Sequence, residues 1–164
     1  MNKVCHKKLG VSSKFSPKEV AGLLDQFIRD PEHKNPSHVP ILASSVSLPL
    51  TDDPAYASLE ALGRHVLSAA GGYMIWMCEV LALPDPGIRS APDASAIVRD
   101  ADDYMEHVLE RWRAPLRDVP NEKLETPEYP SQWQTRYCID SMLEHAVMHP
   151  IRHAFQLDEL LKDL

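Results

Sequence analysis

The chain has 164 residues, 44% of them hydrophobic, and a formal net charge of −7, enough for one well-buried core and too little for two ordinary domains. Its 17 Lys and Arg are scattered rather than gathered into a basic stripe, which argues against a nucleic-acid binder. Cys5, Cys78 and Cys138 lie far apart without C-x-x-C spacing, so neither a disulfide framework nor a zinc ribbon is expected; no apolar run suggests a signal peptide or a membrane span, and reduced thiols in a cytoplasm are the simple expectation.

Residues 1–13 read as an N-terminal tail and 14–164 as a single helical domain. The tail carries Cys5 beside His6, a pair that reads as exposed tail residues rather than a nucleophile and its base. S-P-K-E at Ser16 to Glu19 has the form of an N-cap serine, a proline at the first helical position and a capping-box glutamate. Val20, Leu23, Leu24, Phe27 and Ile28 follow at helical spacing and predict a first helix that stops at Asp30-Pro31. From Pro31 to Asp53 the sequence is proline-rich and without helical period, a long connection of the kind that forms a lid, a rim or a partner surface.

D-P-A-Y-A-S-L-E opens a second helix, with Asp52 or Asp53 as cap and Pro54 in its first turn, running to about Leu83. Gly71-Gly72 in its middle costs about 1 kcal/mol per glycine and is tolerable where a neighbouring helix approaches closely. A third helix fits Asp93 to about Arg113, with Ile97, Tyr104, Val108 and Trp112 among the apolar side, and Pro115 and Pro120 close it. The fourth is expected to begin at Ser131, where Ser131 and Gln134 have capping-box spacing, and to continue to about Leu161. No convincing β alternation is present. The fold class is therefore all-α: a four-helix bundle with a long connection between helices 1 and 2.

The last helix carries E-H-A-V-M-H-P-I-R-H-A-F-Q, in which His145, His149 and His153 recur every four residues and form one slanting row. Cys138, Met142, Gln156 and Leu160 share its side, so the row faces inward. Such a row is either a set of core histidines bonded to backbone and to one another, or a ligand set; unpaired imidazoles in a low-dielectric interior favour the second. On the second helix His65 lies on a stripe with Ser58, Leu62, Ala69, Gly72 and Trp76, the side with the smallest residues, where another helix can come close. His65, His149 and His153 together offer three nitrogen ligands with an open position, the arrangement of a catalytic divalent site rather than a closed structural one. Zinc, nickel, iron and copper all suit imidazole, with zinc or nickel first. Such an ion would supply an exchangeable, acidifying position for a water, a thiol or a carbonyl oxygen. His145 is either an outer partner that fixes the ring of His149 or a replacement ligand. Pro150 removes the N–H that would bond the Ala146 carbonyl and predicts a kink or local opening that re-aims His149, with Gln156 or water satisfying the freed groups; alternatively it is a tolerated proline.

S-L-E-A-L-G-R-H at Ser58 to His65, together with H-x-x-x-H-x-x-Q at His149, His153 and Gln156 and the preceding His145, resembles the DinB-like metalloenzymes. The resemblance runs from about Val20 to Leu160, with H-A-F-Q here where H-R-G-Q is common in the family. It implies a four-helix bundle that holds a divalent ion through His65, His149 and His153, often as a homodimer. It also implies thiol-dependent S-transferase or isomerase chemistry with a low-molecular-weight thiol; metal-activated-water hydrolysis is a variant of the same site. Glu79 and His145 are the candidate acid or base groups. The competing expectation is a non-catalytic dimeric helical scaffold, metal-stabilised or metal-free. The expected partner is a small molecule, with neither nucleic acid nor membrane.

Overall fold

A computed structural model describes residues 47–162 of the chain. The tail 1–13, the first expected helix at Ser16 to Asp30 and the connection up to residue 46 lie outside the described residues. Within them the chain is mostly helical: α1 spans Leu59–Val80, α2 Ile97–Trp112, α3 Asn121–Glu125 and α4 Ile139–Lys162. None of these helices is long and apolar enough to cross a membrane.

The start signals act, but not always where expected. Asp53 does cap, accepting the Ala55 N–H at 2.9 Å, yet what it opens is a single 3-10 turn at Pro54–Tyr56. The long helix begins one turn later at Ser58, whose hydroxyl accepts the Ala61 N–H at 3.1 Å in an ordinary N-cap bond. Asp93 likewise precedes a short turn at Ala94–Ala96 before α2 starts at Ile97.

The expected start of the last helix is corrected. Ser131 does not cap a helix: its hydroxyl donates to the Thr135 carbonyl at 2.7 Å, and its own N–H reaches the same oxygen at 2.8 Å. Gln134 adopts a left-handed φ of 65°, which no helix can incorporate. These bonds close a tight hairpin in which β1 (Tyr129–Pro130) pairs antiparallel with β2 (Arg136–Tyr137). Two residues per strand are too few for a legible alternation. α4 then starts at Ile139, its first turn closed by the Met142 N–H on the Cys138 carbonyl at 3.1 Å. Pro150 lies inside α4, and the helix continues through it.

The core is where α1, α2 and α4 meet. Met74, Met77 and Cys78 of α1, Ile97, Tyr104, Val108 and Trp112 of α2, and Ile139, Met142, Leu143 and Ala146 of α4 are buried together, each larger apolar side chain contributing roughly 1.5–3 kcal/mol by leaving water. Two indoles tie the pieces: Trp112 donates to the Ala70 carbonyl and Trp76 to the Pro130 carbonyl, each at 3.1 Å. The second bond fastens the hairpin to α1. A smaller cluster joins Leu48 to Leu59, Leu157 and Leu160, closing the other end of α4 on the start of α1.

The two central glycines divide their roles. A Cβ on Gly71 would stand 2.8 Å from the Tyr104 hydroxyl and 3.0 Å from Ile88 Cγ2, so Gly71 is the residue that lets α2 approach. Gly72 is exposed, and a Cβ there meets nothing within 4 Å among the described residues. The two glycines thus face different neighbours: Gly71 admits α2, whereas the His65 side of α1 meets α4 at the histidines, the His65 and His149 Nε2 atoms being 3.1 Å apart, and leaves room beside Gly72 among the described residues.

Candidate metal centre

Histidine spacing on α4 and a single histidine in mid-α1 converge as the sequence predicts. One ligand nitrogen from each of His65, His149 and His153 lies within 4.8 Å of the other two. The Nε2 atoms of His65 and His149 are 3.1 Å apart, close to the roughly 3.3 Å that separates nitrogens at about 2.0–2.1 Å from one tetrahedral ion. His149 and His153 are only 6% and 4% exposed, yet His149 Nδ1 and both ring nitrogens of His153 have no hydrogen-bond partner. A hydrogen bond between His65 and His149 would satisfy one nitrogen of each and leave those three unpaired. Each buried unpaired polar atom costs on the order of 1–3 kcal/mol. A divalent ion would engage His153 as well as the other two, so the residues fit one.

The electrostatics suit ligands. Burial, reinforced by His153, His65, Arg152 and His145, pushes His149 down to about 3. His153 is lowered by burial, then by His65 and Arg152; Gln156 and Asp53 oppose this, Gln156 without closing a hydrogen bond of ordinary geometry. His65 is lowered by burial and Arg152 against Asp53. The imidazoles are therefore neutral near pH 7, with the lone pairs that a metal requires. The cluster contains no carboxylate among the described residues.

His145 falls outside this convergence. Its ring packs against Tyr73, Tyr137 and Trp133 with centroids 5.3, 5.9 and 6.0 Å away, and lies 6.0 Å from His149. Burial and Arg152 lower it too. Glu79 is exposed and does not line the adjoining cleft. Gln156 Oε1 accepts the Tyr56 hydroxyl at 2.8 Å. His107 lies apart, its Nε2 accepting the Arg89 backbone N–H at 3.1 Å.

Three contributors escape a reading of the sequence by motif. Tyr73 is buried against both His145 and His149 (centroids 5.3 and 5.8 Å), and burial raises its phenol to about 12. Two helical turns beyond His65, it was detectable only by asking what packs behind the histidine row. Tyr56 comes from the 3-10 turn and carries no spacing signal; its ring sits 6.1 Å from His153. Trp133 lies in the hairpin that the expected capping box concealed.

Beside the cluster is a cleft of about 700 Å³, within the range of small-molecule sites. It exists because α1 presents Ala61, Ser68, Ala69 and Gly72 to it, leaving a trough between His65 and the hairpin residues Gln132 and Trp133. Compared with models of known families, with curated proteins and with solved structures, the chain matched none.

Proposed function

We propose that this chain is a divalent-metal-dependent enzyme of the DinB-like kind, a four-helix bundle with a long connection between its first two helices. His65, His149 and His153 hold the ion, zinc or nickel. The observation that carries the reading is the convergence of three neutral imidazoles, with His149 Nδ1 and both nitrogens of His153 buried and unpaired, beside a cleft of small-molecule size. When bound, the ion supplies a Lewis-acid position that acidifies a thiol or a water. That chemistry serves transfer of a low-molecular-weight thiol to an electrophile, or hydrolysis. Tyr73, packed on the rings of His145 and His149, fixes their orientation. The positive charge of Arg152, on the same helix, disfavours protonation of all four histidines and favours an anionic nucleophile.

A second reading, a dimeric scaffold that uses the ion for stability or lacks it, is favoured by one observation: neither Glu79 nor any other glutamate lines the cleft, and its one carboxylate, Asp53, is engaged as a cap. Elemental analysis of protein purified without a histidine tag, beside a His149→Ala, His153→Ala double variant, tests the metal. Near-stoichiometric zinc or nickel lost in the variant supports the site. Thiol and electrophile screening of the loaded protein then separates enzyme from scaffold. No bound metal even after incubation with zinc and nickel overturns the reading.

A further inference from the structure

The cleft is far larger than an ion and its water need, and its walls differ in character. At one end stand His65 and Arg64 of α1 with Asp53 of the preceding turn; at the other are Trp76, Trp133 and Met142. Both indole N–H groups are already used, Trp76 by the Pro130 carbonyl at 3.1 Å and Trp133 by the Tyr137 hydroxyl at 3.4 Å. These rings therefore offer the cleft apolar surface rather than hydrogen bonds. Trp133 is 47% exposed although it is among the largest apolar side chains in the protein, and one of its faces is already occupied by His145 at an interplanar angle of 32°. A single exposed indole is ordinary on a protein surface; what distinguishes Trp133 is that it lines a cleft of small-molecule size.

The polar end has a sign. Arg64 is exposed and has no ion-pair partner among the described residues. Asp53, the opposing charge, already accepts the Ala55 N–H at 2.9 Å. Asp53 stays anionic while it caps and offsets Arg64 in charge, but the Arg64 guanidinium donors are uncommitted among the described residues. An ion on three neutral imidazoles would keep its full double charge, so with the ion bound this end is net positive and attracts an anion.

We propose that the cleft binds a small aromatic anion, its ring against Trp133 and Trp76 and its acidic group toward Arg64 and the histidine cluster. This deepens the metal-dependent reading and rests on it for the charge at the histidine end alone. Gly72 supplies the room: a Cβ there meets nothing within 4 Å among the described residues, so a side chain added at Gly72 fills the cleft without displacing a ligand.

The test uses 2-naphthoate as probe, titrated calorimetrically into zinc-loaded and metal-free full-length protein. 2-Naphthylmethanol shares its ring without the charge, and hexanoate shares the charge without the ring. Zinc content is measured on every sample. The naphthoate is expected to bind at least about tenfold more tightly than either comparator. Gly72→Leu and Trp133→Ala should each weaken it about tenfold with zinc stoichiometry unchanged, and Arg64→Gln should do so even in the metal-free protein. Equal affinity for the three compounds, or naphthoate binding indifferent to both Gly72→Leu and Trp133→Ala, overturns the proposal while leaving the metal reading intact. Failure of the wild-type protein to take up zinc overturns the metal reading, and the metal-free Arg64→Gln comparison still decides this one. Trp133→Ala alters an exposed residue, which keeps the test valid should Gly72→Leu fold poorly.

Discussion

Acidifying the metal-free protein from pH 7 to pH 5 should cost stability in proportion to what His149 refuses. Burial and neighbouring positive charge hold this imidazole at about 3 in the folded protein against an ordinary 6.5. Between those values the unfolded chain binds a proton that the folded chain does not, so stability rises with pH by about 1.4 kcal/mol per unit. The contribution is complete above about pH 6.5 and is lost progressively as pH falls toward 3. At pH 5 the loss from His149 alone is about 2 kcal/mol; His153, 4% exposed and shifted in the same direction, adds to it. Depressed carboxylates do not obscure this, since Glu60 and Asp100 lose their contribution only below ordinary values of 4.5 and 3.8. Urea denaturation followed by circular dichroism, with chelator present, measures the difference directly. His149→Gln removes the titrating group, and its loss between the two pH values should be smaller by about 2 kcal/mol. Equal stability of the wild-type protein at pH 7 and pH 5, or an undiminished loss in His149→Gln, would refute the argument.

The adjacent glycines should respond in opposite directions: Gly71→Ala drives a methyl against Tyr104 and Ile88 and should cost about 1–3 kcal/mol, whereas Gly72→Ala meets nothing among the described residues and should gain up to about 1 kcal/mol, both read from urea midpoints. Tyr56→Phe deletes the bond to Gln156 and should lower stability by about 0.5–1.5 kcal/mol in the same assay. Zinc at a hundred times its dissociation constant should stabilise the protein by at most about 2.7 kcal/mol, seen as a higher Tm that the His149→Ala, His153→Ala variant does not show. Cys78 is buried and its thiol pushed up by burial first and then by Asp85 and Glu79; in a Cys5→Ser, Cys138→Ser background it should ignore a disulfide reagent at pH 7 until urea unfolds the chain.

Much of the architecture was legible where hydrophobic period and length agree. The inward side of α2 appears in the spacing of Ile97, Tyr104, Val108 and Trp112, all buried, and the convergence of His149 and His153 with His65 follows from helix geometry once their inward faces are known. The exact helix starts were not legible. Asp53 and Ser58 are both good caps, and what decides between them is the local turn at Pro54–Tyr56, whose Tyr56 is bonded to Gln156 a hundred residues away in sequence. Ser131 and Gln134 have capping-box spacing, but the Trp76 bond to Pro130 and the pairing of Tyr129 with Tyr137 stabilise a hairpin that no local pattern announces. The glycines were legible in part: small size is visible in a sequence and a helix does approach, whereas which of the two admits α2 depends on how that helix packs. His145, equivalent to its two neighbours by spacing, differs only because Tyr73, Tyr137 and Trp133 surround it.

The three converging imidazoles are spaced unevenly along the chain, His149 and His153 within one turn of α4 and His65 separated from His149 by 84 positions. A denatured chain can therefore keep a two-toothed chelate when that one turn of helix forms, since the loop it closes is short, even though Pro150 disfavours the helical conformation at His149. Only the third nitrogen requires the long loop to close. Any ion added during refolding would meet the local pair first and wait for α1, so part of its affinity is spent on the denatured ensemble and the apparent stabilisation falls short of the simple mass-action value. An ion at this centre would thus act as a latch between distant segments, with its clasp assembled before the strap arrives.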